Sequence, residues 1–413
     1  MVITIECLPD ELLELCLPRD ATWAVSVGSL VCRRWKTLTI GSSICRLKYV
    51  MKPYQLSIVS KCPGCIVSID AKKFPFWTGT LKFSNFLASL DAFQPTLRHL
   101  DLSYGSIDCF EFKGNYKMPP FPSGLISLKL DSLWFENISL ESCTALQSLS
   151  LRRTKLTDAT PLTSLVRLRK LDISFTPITN PSVLRCLTNL EELGMSFVRH
   201  SDSPEVEWIS GLSMLTSLCL SSSGITVLRS NPRPLRLRAL DLTFNQIKHC
   251  GFLQDIGSSL VFLGLGGNES LENLNDVGRY CRNLRELILY GTKIDDILPL
   301  ANCLCLETLD LSCTPVRDIR PIVQLPYLSR LDLVSCCIDT LRPLSQIASL
   351  IELNIETCKC VYDLTELAEC RSLLRLSVCV FCREDLEPVL FIPDIRVNGC
   401  VNKTIVNYFF LYD

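Results

Sequence analysis

The sequence predicts an α/β solenoid, in which short strands stack into a parallel sheet on a concave face and brief helices or 3-10 turns line the convex face. Three observations predict it. A leucine recurs at Leu97, Leu125, Leu146, Leu168, Leu190, Leu215, Leu237, Leu260, Leu284, Leu306, Leu328, Leu350 and Leu373, with 22 residues the commonest interval. After each of these the chain alternates apolar and polar, as in Leu168-Arg-Lys-Leu171-Asp-Ile173-Ser, the period of a strand with one buried side. Three residues beyond the second inward strand residue, a short polar or thiol side chain then holds nine of ten equivalent positions. One such turn has a single apolar face that only its neighbours cover, so the period cannot fold alone.

Taken in chain order, residues 1–46 read as a small all-α module. Pro9 suits a first helical position, Pro18-Arg19-Asp20 breaks and recaps the chain, and Leu30 to Leu38 places Val31, Trp35 and Leu38 on one helical face. The opening Leu8-Pro9-Asp10-Glu11-Leu12-Leu13 and the closing Ser29-Leu30-Val31-Cys32-Arg33-Arg34-Trp35 stand 24 residues apart, Leu8 to Cys32. Together they resemble an F-box, the helical module that docks on the adaptor subunit of cullin-RING (SCF-type) ubiquitin ligases. The resemblance implies that Leu8, Pro9, Leu12, Val31 and Trp35 bind the adaptor, and that the partners are the adaptor, a cullin and a protein substrate held by the repeats. Pro18 falls earlier than in that family, and the stretch Asp20 to Gly28 is correspondingly longer. Without the resemblance, the same residues describe an amphipathic cap that seals the first turn, with the repeats serving as a scaffold or phosphatase-type regulator.

Residues 47–96 hold repeat-like fragments such as Leu56-Ser-Ile58 and Ile66-Val-Ser-Ile69 at irregular spacing, which read as degenerate first repeats. Residues 97–413 are the clear array. An insertion runs from Gly105 to Ser123, and Tyr408-Phe-Phe-Leu-Tyr412 reads as a C-terminal cap. The inward position is Thr154, Thr176, Val198, Ser223, Asn245, Asn268, Thr292, Thr314, Cys336 and Cys358 in successive repeats. There the chain turns, and its backbone groups need partners that a short side chain supplies. Asp158 before Pro161, Asp296 before Pro299 and Asp318 before Pro321 predict helical turns begun by a carboxylate and a proline. This lettering resembles the 22-residue class of leucine-rich repeats found in phosphatase-regulatory and internalin-like proteins. The resemblance covers about three quarters of the 413 residues and specifies the fold rather than the partner.

Charge excludes some functions. Forty-two basic and 43 acidic residues give a formal net charge of −1, no field for nucleic acid or an anionic membrane. The first residues lack the basic start of a secretory signal, and no apolar run reaches the ~18 residues of a spanning helix. The 23 cysteines are an odd number, and Cys143, Cys281, Cys303 and Cys370 each stand three residues before an opening leucine. Equivalent slots in stacked turns suit buried free thiols, which places the chain in the cytoplasm or nucleus. Cys62-Pro-Gly-Cys65 and Cys379-Val-Phe-Cys382 have zinc-like spacing but lie far apart, and the three histidines are dispersed. The expectation is therefore no metal, no cofactor, no catalytic residues and no enzyme, with a monomer outside its complex.

The outward strand positions are the candidate working surface. Asp in Leu-Asp-Leu keeps such a face solvated, and the central column carries Asp101, Asp172, Asp241, Asp310 and Asp332. Phe262, Ile288 and Tyr290 interrupt it with apolar and aromatic groups, which are typical interface anchors. With Glu286, Asp310, Arg330 and Asp332 beside them, they define the expected partner-binding patch, across repeats opening at Leu260 to Leu328.

Overall fold

The computed structural model describes residues 45–48 and 66–70 by their backbone, and residues 97–103, 120–133, 135, 137–198, 207–228, 236–358, 364–379 and 384–397. The segment resembling an F-box, with Leu8, Pro9, Leu12, Val31 and Trp35, lies outside them. So do Cys62, Cys65, Cys382 and Tyr408 to Tyr412. The chain divides into two compact units, Met1–Arg199 and His200–Asp413.

The first unit contains β1 (Cys45–Lys48), β2 (Ile66–Asp70), β3 (His99–Asp101), β4 (Ser127–Lys129), β5 (Ser148–Ser150), β6 (Lys170–Asp172) and β7 (Glu192–Gly194). The second contains β8 (Ser217–Cys219), β9 (Ala239–Asp241), β10 (Phe262–Gly264), β11 (Glu286–Ile288) and β12 (Thr308–Asp310). It continues with β13 (Arg330–Asp332), β14 (Glu352–Ile355), β15 (Arg375–Val378) and β16 (Asp394–Val397). Within each unit the strands pair in parallel and in sequence order. β1 begins at Cys45, two residues before the boundary drawn at 46/47, and β2 takes in the fragment Ile66 to Ile69.

Register follows from the leucine pattern. The middle residue of each short strand points inward and sits opposite its equivalent, as in Leu240, Leu263, Leu287, Leu309 and Leu331. A one-residue slip would turn every one of these to solvent. The opening leucines, Leu97 through Leu373, are at most 1% exposed, so each contributes roughly 1.5–3 kcal/mol of burial that exists only because the turns stack.

The inward position satisfies backbone groups in three ways. Threonine serves its own turn: the Thr154 hydroxyl donates to the Leu151 carbonyl at 2.9 Å, and Thr292 to Leu289 at 2.8 Å. Asparagine bridges two turns. The Asn245 amide donates to the Leu220 and Leu242 carbonyls at 2.8 and 2.9 Å, while its oxygen accepts the Ser223 and Ile225 N–H groups at 3.1 and 2.9 Å. Cysteine reaches backward, from Cys336 to the Leu311 carbonyl at 3.1 Å and from Cys358 to Leu333 at 2.9 Å. Val198, the apolar exception, is fully buried.

Immediately before this position the backbone is left-handed, at Arg153, Phe175, Phe197, Ser222, Phe244, Gly267, Gly291, Cys313, Ser335 and Thr357. The geometry is repaid by a hydrogen bond to the following turn. Phe175 N–H donates to the Ser196 carbonyl at 2.7 Å, Phe244 to Gly266 at 2.7 Å and Gly267 to Tyr290 at 2.6 Å. The convex turns are mainly 3-10, including Thr160–Ser164, Leu298–Asn302 and Arg320–Gln324. The expected carboxylate does bond there, one residue earlier than a cap. Asp158, Asp296 and Asp318 each accept the N–H two residues ahead, at 2.8, 2.8 and 2.9 Å. That leaves Ala159, Ile297 and Ile319 at the cap itself, without a side-chain hydrogen bond.

Candidate protein-interaction face

The outward residues of the strands are polar for a structural reason as well as for solvation. Asp172, Asp241 and Asp310 each accept the backbone N–H two residues on, at 2.9 Å, and Asp101 does so at 3.0 Å. These bonds support the bend that leads into the left-handed turn. They also leave the carboxylates half-buried along the face.

One turn of the second unit departs from this pattern. Phe262-Leu-Gly264-Leu-Gly266-Gly267 places three glycines along the outward side of one turn. Gly264 closes β10 in the outward column, opposite Asp241 and Ile288, but is buried because Asp241 leans over it: an added Cβ would lie 2.8 Å from the Asp241 carboxylate. Tyr290 lies back across Gly266, whose hypothetical Cβ would meet the ring at 2.6 Å. Phe244 lies forward across Gly267, also at 2.6 Å. The two rings meet edge-to-face with centroids 5.5 Å apart. Gaps left by the glycines are thus filled from both neighbouring turns, as aromatic side chains do over glycines in other sheets.

Tyr290 is therefore half-buried, laid along the sheet rather than projecting from it. Its phenol bonds to Thr243, and its pKa is raised by burial and then by the Asp241 and Asp310 carboxylates. Phe244 is 58% exposed and sits on the ridge between this face and an open groove of about 1000 Å³ shared with Val227, Gln246, His249 and Phe252.

Of the patch expected from sequence, Phe262 and Glu286 pair across β10 and β11, and Ile288, Asp310 and Asp332 follow one another across β11 to β13. All five are half-buried on one face together with Tyr290. Arg330 is exposed and turned to Asp332 at 3.0 Å and Glu352 at 3.9 Å, which places it in an ion ladder beside the aromatic cluster. Phe244 was missed, since its position reads as a loop. The consecutive glycines one turn later are the signal that betrays it.

The first unit carries a second aromatic pair. Phe175 and Phe197 stack at 4.3 Å, with the Arg152 and Arg153 guanidiniums over Phe175 at 5.7 and 5.1 Å. Among the described residues there is no cluster of metal-ligating side chains and no helix long and apolar enough to cross a membrane.

Parallel three-residue strands, left-handed turns and a ladder of inward Thr, Asn and Cys make this chain a leucine-rich repeat solenoid. It is similar to an internalin from Listeria monocytogenes, with a TM-score of 0.57, 18% identity, and coverage of 94% of this chain and 99% of that one. It is also similar to the leucine-rich repeat protein LIC12759 of Leptospira interrogans, with a TM-score of 0.64, 19% identity, and coverage of 87% and 96%. At such identities the likeness concerns the fold. No protein-family model matches the chain. No curated protein matches it either.

Proposed function

We propose that this chain is a protein-recognition module whose working surface is the outward strand face of the second unit, centred on Phe244, Phe262, Ile288 and Tyr290. The observation that carries this reading is the closed aromatic pair over Gly266 and Gly267, which sets a rigid, partly apolar platform on an otherwise charged face. Aromatic anchors of this kind contribute most of the energy at interfaces, on the order of 2 kcal/mol or more each. Binding, not catalysis, is its contribution.

The finer reading is that of a substrate receptor in a cullin-RING ubiquitin ligase, working in a reducing compartment, cytoplasm or nucleus. What supports it is the sequence likeness of Leu8 to Trp35 to an F-box, together with thiols packed as apolar side chains in stacked turns, such as Cys281 and Cys303. The array would hold the substrate near the charged ubiquitin enzyme, which raises its effective concentration.

Affinity purification with cross-linking mass spectrometry on the full chain tests both levels. Cross-links from a partner to residues 244–332 that disappear in Phe244→Ala with Tyr290→Ala support recognition; unchanged cross-links refute the placement. Adaptor and cullin peptides that vanish in Leu8→Ala with Pro9→Ala support the ligase reading. Their absence from the wild-type sample removes it and leaves the recognition module.

A further inference from the structure

We infer that the face over β9 to β12 receives a cationic segment of a protein partner, with lysine or arginine side chains set against Phe244 and Tyr290 and between Asp241, Glu286 and Asp310. This rests on the reading of that face as a docking surface and adds the chemistry of its occupant.

The first argument is local charge. The twelve outward positions on these four turns are Ala239, Asp241 and Thr243, then Phe262, Gly264 and Gly266, then Glu286, Ile288 and Tyr290, then Thr308, Asp310 and Ser312. Three are carboxylates and none is basic. On other strands of the same kind, outward carboxylates are matched from within the chain: Asp172 by Arg152 at 3.3 Å, Glu192 by Lys170 at 2.6 Å, Asp332 by Arg330 at 3.0 Å, and Glu352 by Arg375. Among the described residues no cation pairs with Asp241, Glu286 or Asp310.

The second argument compares the two aromatic pairs. Phe175, stacked on Phe197, is covered by two guanidiniums of its own chain. Among the described residues Phe244 and Tyr290 have no such cover, although their ring faces and the nearby carboxylates offer the same attraction to a cation. A wholly apolar occupant would desolvate Glu286 and Asp310 without compensation, and an acidic one would be repelled. Four strands at roughly 4.8 Å spacing give a footprint of about 14 Å, enough for four or five extended residues.

The test uses the full chain and three labelled ten-residue probe peptides, in which glycine alternates with arginine and lysine, with glutamate or with serine. Fluorescence anisotropy at moderate salt should show the basic peptide binding roughly tenfold or more tighter than the serine peptide, with the glutamate peptide weakest. Glu286→Gln with Asp310→Asn, which keeps an oxygen for the Ser312 N–H, should lower basic-peptide affinity at least about fivefold, and so should Phe244→Ala; Phe197→Ala should not. Equal binding of the three peptides, or retention of affinity in either variant, overturns the inference. A partner whose cross-links are lost in Phe244→Ala with Tyr290→Ala but survive neutralisation of Glu286 and Asp310 overturns the cationic occupant while leaving the docking face standing. A partner indifferent to both sets of changes overturns both.

Discussion

Asn268 shows how much a single buried amide does in a stack of this kind. It is fully buried, donates to the Leu242 and Leu265 carbonyls at 3.0 and 2.6 Å, and accepts the Ile247 N–H at 2.9 Å. Asn268→Ala takes the side-chain partner from the Leu265 carbonyl and the Ile247 N–H, while the Leu242 carbonyl keeps its bond from Asn245, for an expected loss of about 2–4 kcal/mol. Thr292→Val removes one hydrogen bond within one turn and should cost about 1 kcal/mol. Urea unfolding midpoints of the two variants check the ratio. Sequence made the polar identity of this position legible, because ten turns could be compared. The partners were not legible, since whether a side chain serves its own turn or the previous one depends on its reach.

Glycines in the turn column separate backbone strain from steric conflict. Gly267 and Gly291 both have left-handed φ, +71° and +65°, but a Cβ on Gly291 would be 3.8 Å from its nearest neighbour, whereas on Gly267 it would strike Phe244 at 2.6 Å. Gly291→Ala should therefore cost roughly 1–2 kcal/mol, the ordinary penalty of that conformation. Gly267→Ala should cost at least about 1 kcal/mol more, because the ring must leave Tyr290 as well. Denaturation midpoints of both variants measure the difference. Strands were legible from alternation, and so were the 3-10 turns from Asp158, Asp296 and Asp318. The left-handed turns at Phe175, Phe197 and Phe244 were not, since phenylalanine is an unusual residue there. Nor could the lie of Tyr290 be read from its own turn, because it is set by a glycine 24 residues earlier.

For the molecule as a whole, the leucine rows fixed the solenoid class before any coordinates, whereas the working face depended on packing between turns. The buried thiols give a property of the entire chain. Burial pushes Cys250 up to about 12 from an ordinary 9.0, and Cys303 and Cys370 up to about 11; Cys281 is raised as well, with Cys303, Cys250 and Asp276 adding to the effect of burial. A raised native pKa means that the folded protein keeps protons that the unfolded chain gives up near pH 9. The stabilisation is complete below that pH and is lost as pH climbs toward the native values. The urea midpoint should therefore fall steadily from about pH 9 to pH 11, and Cys250→Ala with Cys303→Ala should flatten that slope.

Where a bond from the inward position crosses between turns, it runs backward. Asn245, Asn268, Cys336 and Cys358 all reach to the turn before their own. The turns before these four are therefore completed by their successors, and excising one of the four would harm its upstream neighbour more than its downstream one. Within the second unit, unravelling should spread toward lower residue numbers, like a zip whose teeth are closed from behind.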